Sequence, residues 1–171
     1  QGRIFRAAVT VRGMSLDPDA FRAVMGRFAS GVTVVTATDV NGEDHGMTVS
    51  AFASVSLQPP LVVVCIDRDA SMHDVLAAAE HFAVNILAST QESIARRFAD
   101  TGAQRFEGIG YHRGENGAPI LNDVLAYIEC KRISTTLTGD HTVLIADTVA
   151  TAMRDARPLL YYRGGFAQLE R

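Results

Sequence analysis

The sequence predicts a mainly β protein in which an antiparallel sheet closes into a barrel, flanked by a few short helices. Segments rich in β-branched residues recur along most of the chain, and such side chains favour strands. These segments follow one another through hairpin-like turns, whereas a parallel sheet would need helices between its strands. The 171 residues suffice for one domain with a sizeable core, and no internal repeat or linker divides them.

The predicted strands are separated by recognisable turns. Asn41-Gly42 is typical of a hairpin turn, because both residues tolerate the positive φ that the turn needs. The strand after it is expected to be long and bent, since it is rich in small residues. The apolar run from Leu61 to Ile66 indicates a strand buried on both faces. The predicted strands span residues 32–38, 46–57, 61–66, 82–87, 126–134, 142–153, 159–162 and 166–169.

Three short helices are predicted from apolar residues at helical spacing. Asp17 is expected to cap the first helix and Pro18 to occupy its first turn, and its apolar positions are Phe21, Val24, Met25 and Phe28. Ser71 is expected to open the second helix. Ser89 and Glu92 form a capping-box pattern before the third, whose apolar positions are Ile94, Ala95 and Phe98.

Composition excludes several classes of protein. Sixteen Lys and Arg against nineteen Asp and Glu give a net charge of −3, and no basic cluster is present, which argues against nucleic-acid binding. No apolar run approaches the ~20 residues that span a bilayer, so no membrane segment is expected. Cys65 and Cys130 lack metal-binding spacing and secretory context, which predicts reduced thiols and a cytoplasmic protein.

The first residues are interpreted separately from the domain. Residues 1–13 are interrupted by Arg3, Arg6 and Arg12, unlike the apolar stretch of a signal peptide. Met14 resembles a natural start position. We therefore expect residues 1–13 to be an N-terminal extension or expression remnant, and residues 14–171 to form the domain.

Motifs for several kinds of chemistry are missing from the sequence. The five histidines are scattered and neither HExxH nor CxxC occurs, so no metal site is predicted. No G-x-S-x-G or Walker A motif is present. The glycines of residues 108–114 depart from the dinucleotide-binding pattern and lack its strand–helix context. A nucleotide cofactor would therefore bind without a Rossmann fold.

Small hydroxyl residues mark one of the predicted strands. Thr48, Ser50, Ser54 and Ser56 lie at even spacings, so a regular strand would place their hydroxyl groups on one face. Such a face is either a solvated sheet surface or a groove that hydrogen-bonds a polar ligand. The periodicity leaves both interpretations open.

Four segments carry a resemblance to a known family: residues 28–36, residues 46–60, residues 82–87 with Arg97-Phe98, and residues 139–145 with 158–165. The sequence resembles the flavin reductase family with the FMN-binding split β-barrel. It is most similar to the small reductase components of two-component flavin-dependent monooxygenases. The segments occur in the family's order between Leu16 and Leu169, and the resemblance implies a split barrel that is usually a homodimer.

The resemblance implies a flavin site around the strand that begins at residue 46. The residues it places along the flavin ring are Gly46, Met47, Thr48, Val49, Ser50 and Ala51. Small side chains there would let the backbone approach the ring, although they also suit a plain barrel strand. The residues matching the stretch that holds the ribityl chain and phosphate are Cys65, Asp67, Arg68 and Ser71. A helix N-terminus suits a phosphate, and a simple cap is the other interpretation of Ser71.

Five further residues match family positions near the ligands. Asn85 interrupts an apolar strand. It is interpreted either as a residue that contacts or supports the ligand, or as one whose amide makes a structural hydrogen bond. Arg97 suits a phosphate but also a solvated helix face. His141 matches a family histidine near the nicotinamide and is the candidate catalytic residue. The other interpretation is that it is a histidine exposed in a turn. Tyr162 and Arg163 match a segment near the pyridine nucleotide and the dimer interface.

The implied activity is that of an NAD(P)H:flavin oxidoreductase. NADH, or NADPH, would reduce FAD or FMN by hydride transfer, and the reduced flavin would diffuse to a partner monooxygenase. A non-catalytic flavin-binding module and a split-barrel reductase acting on another acceptor are the alternatives. An oxidase of pyridoxamine phosphate is disfavoured by Gly139-Asp140-His141 and by residues 162–165. The sequence specifies neither the preferred flavin nor the partner's identity.

Overall fold

The computed structural model describes residues 16–102 and 104–169. Its helices are α1 (Pro18–Met25), α2 (His73–Ala78) and α3 (Glu92–Ala99). Its strands are β1 (Ser30–Gly31), β2 (Thr33–Thr38), β3 (Asp44–Val49), β4 (Phe52–Leu57), β5 (Pro60–Asp67), β6 (His81–Ile86), β7 (Tyr111–Arg113), β8 (Pro119–Leu121), β9 (Ala126–Thr138), β10 (His141–Met153), β11 (Leu159–Tyr162) and β12 (Gly165–Gln168). The predicted extension, residues 1–13, lies outside the described residues.

Seven strands form one antiparallel sheet in the order β3-β2-β6-β9-β10-β5-β4. The sheet's two edges are therefore β3 and β4, although only Ser50 and Ala51 separate them along the chain. Because two residues cannot cross a flat seven-stranded sheet, the sheet must curl until its edges approach. The Cys65 N–H donates to the Ala51 carbonyl at 2.9 Å and ties this link to β5. The predicted split β-barrel is confirmed.

Two hydrophobic clusters hold the barrel together. The first fills its interior with side chains from β2, β5, β6, β10 and α2, including Val35, Val64, Leu76, Phe82 and Leu144. The second lies between the sheet and α3 and includes Val34, Leu87, Phe98, Leu121 and Leu159. Each large apolar side chain that is fully buried stabilises the fold by roughly 1.5–3 kcal/mol.

The hairpin β7–β8 covers one side of the barrel through a polar clamp at Asp44. Arg113 donates to both carboxylate oxygens of Asp44, at 2.6 and 2.8 Å. The hydroxyls of Tyr111 and Thr38 donate to the same carboxylate at 2.7 and 2.9 Å. Desolvation raises the pKa of Asp44, but these hydrogen bonds outweigh it and lower the pKa. The hairpin is thus attached to β2 and β3 by an ionised carboxylate.

The single long strand predicted over residues 46–57 is wrong, since the structure has two strands on opposite edges of the sheet. The hydroxyls of Thr48 and Ser54 therefore do not lie on one strand face. A register shift between Ser54 and Ser56 breaks the alternation again within β4. Local spacing carried no information about the chain changing edges at Ser50.

Strand β5 also differs from its prediction. Its burial alternates, with Val62, Val64 and Ile66 buried and Leu61, Val63 and Cys65 only half-buried. The strand is therefore buried on one face rather than both. The half-buried face includes Cys65, which the resemblance places near a ligand. Both cysteines are free, as predicted.

The predicted serine caps are not formed. Helix α2 begins after Met72 and α3 after Gln91, and neither residue's side chain caps its helix. Gln91 instead accepts the Ala88 N–H at 3.0 Å, while the hydroxyl of Ser71 accepts a hydrogen bond from Arg105 at 3.1 Å. Ser71 is thereby available to a surface cavity rather than used in the helix start.

Helix α1 forms as predicted, with the Asp17 carboxylate accepting from the N–H groups of Asp19 and Ala20. Its apolar face is nevertheless not in the core. Val24 is 69% exposed and Phe28, just after the helix, is 76% exposed.

Within residues 16–102 and 104–169, the structure has no helix both long and apolar enough to cross a membrane.

Candidate active site

A cavity of about 690 Å³ opens where β3 and β4 separate. Its wall includes Ser50 and Ala51 of the link, Cys65 of β5 and Arg163, all four of which the sequence analysis had placed near ligands. The opposite wall comes from α1 and from Phe28. Both link residues are exposed and carry small side chains, so the backbone here is accessible to a large planar ligand.

A second cavity, of about 620 Å³, lies at the other end of β3. Gly46 and Ser71 line it together with Arg105. Four residues separate Gly46 from Ser50, which at 3.3 Å per strand residue is about 13 Å. The outer edge of β3 runs between the two cavities, and β3 pairs only with β2 in the described sheets. An elongated ligand can therefore follow this edge from one cavity to the other.

Arg105 is a site residue that the sequence analysis missed. It donates to the Gly46 carbonyl at 2.7 Å and to the Ser71 hydroxyl at 3.1 Å. Burial lowers the pKa of its guanidinium, while the charge of Asp100 acts in the opposite direction. The residue lies in a glycine-rich loop without periodicity, so only its attachment to two predicted site residues reveals it.

Three predicted flavin contacts on β3 have structural partners instead. The Thr48 hydroxyl donates to the Ala95 carbonyl of α3 at 2.7 Å. Val49 is buried in the barrel cluster, and Met47 packs against the same cluster. The side chains in the middle of β3 are therefore engaged by the core and by α3 and are not available to a ligand, which would meet backbone atoms along this edge.

Gly46 is packed too closely against α3 to carry a side chain. A Cβ at this position would lie 2.5 Å from Cε1 of Phe98. Close approach of the Phe98 ring therefore requires a glycine here whether or not a ligand binds. The Gly46 carbonyl still contributes to the site through Arg105.

The predicted cofactor-binding role of Asn85 is contradicted by its surroundings. Asn85 is 0% exposed. Its Nδ2 donates to the Val34 carbonyl at 3.1 Å and to the Thr36 hydroxyl at 3.0 Å, and its Oδ1 accepts the Leu121 N–H at 2.8 Å. No atom of this amide is left to contact a ligand, so the structural alternative applies.

His141 lies opposite Asp67 on β5, at the turn that joins β9 and β10. Its Nδ1 is 2.7 Å from the Asp140 carboxylate, and this hydrogen bond lowers the pKa of Asp140. The Arg68 N–H donates to the Asp140 carbonyl at 3.0 Å. The structure thus brings His141, Asp67 and Arg68 together, but none of them lines either cavity.

The remaining predicted residues are Arg97, Tyr162 and Arg163. Arg97 lines a cavity of about 410 Å³ that it shares with Arg105. Tyr162 is exposed, whereas Arg163 lines the cavity at the split and has a positive φ of 54°. The Arg163 N–H donates to the Gly26 carbonyl at 2.9 Å, which attaches this turn to the end of α1.

The donors around the two cavities fit a flavin nucleotide. The link of Ser50 and Ala51 suits the flat ring system, while Arg105 offers a cation at the second cavity. The Nε of Arg105 is buried and, among the described residues, is the side-chain nitrogen or oxygen that lacks a hydrogen-bond partner. An anionic oxygen is the kind of group that satisfies such a donor.

Comparisons with known proteins agree with this geometry. A flavin reductase of Pseudomonas putida is 39% identical over 161 residues, covering 94% of each protein. The reductase component of 4-nitrophenol 4-monooxygenase/4-nitrocatechol 2-monooxygenase of Rhodococcus opacus is 40% identical over 151 residues, covering 88% of this chain and 80% of the relative. The chain spans only 48% of the length of a Rhizobium meliloti relative that is 39% identical over 150 residues.

The fold agrees as well. The structure of the Streptomyces globisporus C-1027 NADH:FAD oxidoreductase SgcE6, in complex with NAD and FAD fragments, superposes with a TM-score of 0.85. The two proteins are 36% identical, and the match covers 92% of this chain and 98% of SgcE6. The model of the flavin reductase like domain matches residues 25–170. The chain therefore belongs to the flavin reductase family.

Proposed function

We propose that the protein is an NADH-dependent flavin reductase that supplies reduced FMN or FAD to a partner monooxygenase. The observation that carries this proposal is the open link of Ser50 and Ala51 between the barrel edges. Relatives described as a flavin reductase, as the reductase component of a monooxygenase and as an NADH:FAD oxidoreductase support it. NADPH is the second possible donor.

The chain's own part in the reaction is to position two planar molecules. A bound flavin accepts the hydride that a reduced nicotinamide donates. Ser50 and Ala51 would support the flavin ring, and the cavity volume of about 690 Å³ leaves room above it for the nicotinamide. Holding the reacting atoms about 3–3.5 Å apart supplies much of the rate enhancement in such reactions.

No side chain of the site has to act as a nucleophile. Desolvation raises the pKa of Cys130 to about 12, with smaller contributions from Asp147 and Glu129, so this thiol is protonated at neutral pH. Cys65 lies at the cavity wall, where its small side chain leaves space for a ligand. Both thiols thus have packing roles rather than chemical ones.

His141 is proposed to act on the nicotinamide from the turn that joins β9 and β10, which lies outside the walls of both cavities. Its ring is 39% exposed and held by the ionised Asp140. His141→Ala should slow flavin reduction more than it weakens flavin binding, measured as kcat against the flavin Kd. Unchanged turnover would remove His141 from the site.

A homodimer is proposed because large apolar side chains are exposed at the cavity at the split, where Met25 and Phe28 line the wall. Further large apolar side chains are exposed on α1 and on the strands, among them Phe21, Val24, Val55, Ile133, Leu137 and Val149. A patch of this kind typically marks an interface. A second copy of the chain is the proposed occupant, which would also cover Tyr162 and narrow the cavity. Light scattering after size-exclusion chromatography should give twice the chain mass, and a monomer at micromolar concentration would contradict the dimer.

The reduced flavin is proposed to reach its acceptor by diffusion. The cavities are open, and hydroxyls, backbone groups and arginines are the binding groups, so the flavin can leave after reduction. A cytoplasmic location, where NADH is available, fits this role. Neither a nucleic acid nor a membrane is a proposed partner.

The activity is tested by mixing the purified protein with NADH and free FMN or FAD and following NADH absorbance. Flavin-dependent loss of NADH is expected, and a flavin that binds without such loss would indicate a non-catalytic flavin-binding module. Replacing the flavin by a corrin or a ferric complex tests the other alternative. Faster NADH loss with such an acceptor than with free flavin would contradict the proposed product.

A further inference from the structure

We propose that His73 is a positioning residue for His141: acting through Thr142, it holds the strand end that carries His141 and thereby supports the rate of hydride transfer. This inference rests on the proposed function, because it takes His141 as the residue that acts on the nicotinamide. It adds a residue that neither the motifs nor the family resemblance singled out.

His141 projects from the sheet face that forms one wall of the cavity at the split. It lies opposite Asp67 on β5, and Val143, two residues further along β10, lies opposite Cys65. Directly opposed residues of an antiparallel pair share a face, as do alternate residues of one strand. His141 therefore shares a face with Cys65, which lines the 690 Å³ cavity, and lies about 7 Å further along the strands. A ligand that extends from the cavity along this face would reach the imidazole.

The strand end that carries His141 has few anchors. His141 is the first residue of β10 and follows the exposed turn from β9. On that side, residues 133–138 of β9 are all exposed, so they provide little side-chain packing. Towards β5, the strand end is held by the pairing with Asp67 and by the Arg68 N–H, which donates to the Asp140 carbonyl. Since exposed strand ends open more easily than strand centres, a further anchor matters here.

His73 supplies this anchor from the opposite face of the sheet. Thr142, the residue after His141, points into the barrel and is 1% exposed. Its hydroxyl lies 2.8 Å from Nε2 of His73, the first residue of α2. Nδ1 of the same ring lies 2.9 Å from the Asp74 carboxylate. An ionised carboxylate only accepts, so Nδ1 donates to Asp74, and Nε2 of the neutral ring accepts from the Thr142 hydroxyl.

The contact satisfies a hydroxyl that water does not reach. Among the described residues, His73 is the hydrogen-bond partner of the Thr142 hydroxyl, and such a group destabilises its surroundings when it lacks a partner. Helix α2 is itself held in the barrel cluster by Met72 and Leu76, which are almost fully buried. His73 therefore connects a packed helix to a loosely held strand end. Loss of the contact should displace His141 without disturbing the proposed site of the flavin ring.

The test measures the single-turnover rate constant of flavin reduction by NADH, because slow product release can mask a change in kcat. His73→Ala and Thr142→Val remove the same hydrogen bond from its two ends. Each should lower the rate constant at least about threefold, since small displacements of an acting group slow a reaction strongly, and leave the flavin Kd within about twofold. His73→Gln, whose side-chain amide can meet the Thr142 hydroxyl, should recover most of the rate.

A double-mutant cycle with His141 separates positioning from a general loss of structure. In the His141→Ala background, His73→Ala should cause no further loss of rate, because the residue through which it acts is gone. Two variants serve as matched controls and should keep the wild-type rate. His112→Ala removes an exposed imidazole on β7, and Thr151→Val removes an exposed hydroxyl elsewhere on β10.

Wild-type rates in both His73→Ala and Thr142→Val would overturn the inference. An equal loss of rate in the wild-type and His141→Ala backgrounds would also overturn it, because His73 would then act on the structure as a whole. If His73→Ala does not fold, Thr142→Val takes its place in the cycle and His73→Gln in the comparison of rates.

The same measurements separate this inference from the proposed function. An unchanged rate in His141→Ala would remove His141 from the site and His73 with it, whereas slow reduction in His141→Ala with additive loss in His73→Ala would contradict the positioning role alone. A wild-type protein that never oxidises NADH would contradict the reductase function. The imidazole NMR signals of His141 test the anchor even then: they should shift or broaden in Thr142→Val, and unchanged signals would overturn it.

Discussion

The two sides of the barrel use their polar groups differently. On the closed side, under the hairpin β7–β8, polar groups are buried and paired: Asn85 makes three hydrogen bonds, and the buried carboxylate of Glu129 accepts the Asn116 N–H at 2.7 Å. On the split side, Ser50 and Ala51 are exposed beside a large cavity. Pairing within the protein marks the closed side as structural, while exposed small residues beside open space mark the split side as the candidate functional side.

This difference shows why a polar residue in an apolar strand is an ambiguous signal. Asn85 and Ser50 both match family positions near the flavin, and both interrupt apolar or small-residue runs. Only the pairing of their atoms separates them. A residue whose donors and acceptors are all satisfied internally contributes to stability, and its substitution should change unfolding rather than binding.

The largest effect is expected on the closed side from Asn85→Ala. The change leaves the Leu121 N–H and the Val34 carbonyl without their side-chain partner in a site that water does not reach. Unfolding free energy should fall by about 3 kcal/mol, measured by urea denaturation. Asn122→Ala, at an exposed asparagine, is the control and should change it by less than about 0.5 kcal/mol. Normal stability together with weaker flavin binding would reverse the assignment of Asn85.

Gly46→Ala should have the next largest effect. The new Cβ would lie 2.5 Å from the Phe98 ring, so the ring must move within a packed cluster, at a cost of about 1–3 kcal/mol. The control is Gly31→Ala, where the new methyl group meets nothing within 4 Å. Thermal denaturation of both variants gives the comparison, and equal midpoints would show that Phe98 does not require the glycine.

The clamp at Asp44 should make stability depend on pH. Its carboxyl has a lowered pKa in the folded state, so the contribution to stability is present above its unfolded value of 3.8 and is lost as pH falls through the folded value. Asp44→Asn should destabilise the protein by about 1–2 kcal/mol at neutral pH and flatten the acid limb of its stability profile. Parallel acid limbs in both proteins would exclude Asp44 as their cause.

Ala51→Leu is expected to change stability least among these variants. Its effect on flavin binding should be the largest. The added side chain would occupy the surface proposed for the flavin ring, so flavin affinity should fall at least about tenfold. Because Ala51 is exposed, unfolding should change by less than about 0.5 kcal/mol. Ala152→Leu, at an exposed alanine of β10, is the control for a larger side chain on a strand. Unchanged affinity in Ala51→Leu would place the ring elsewhere.

Much of the fold was predictable because it follows from local chemistry. The Asp17 cap, the Asn41-Gly42 hairpin and the β-branched strands each depend on neighbouring residues. The change of edge at Ser50 was not predictable from spacing, because it results from closure of the whole sheet. At Ser71 the predicted cap is replaced by a contact distant in sequence, since Arg105 donates to the Ser71 hydroxyl. Before α3 the side chain of Gln91, rather than that of Ser89, accepts a nearby N–H group, that of Ala88.

The site was predictable in outline. The link of Ser50 and Ala51, with Cys65, Ser71 and Arg163, lies beside cavities as the resemblance implied. Arg105 could not be found from the sequence, since its significance lies in two tertiary hydrogen bonds and an unpaired Nε.

The central claim is that flavin binds on the split side along β3 and not on the closed side. Titrating FMN into isotopically labelled protein and recording amide NMR spectra tests it directly. The amide signals of Gly46, Ser50 and Ala51 should shift with FMN concentration, while those of Asn85 and Leu121 stay in place. Shifts confined to the closed side, or no shifts at saturating FMN, would contradict the account.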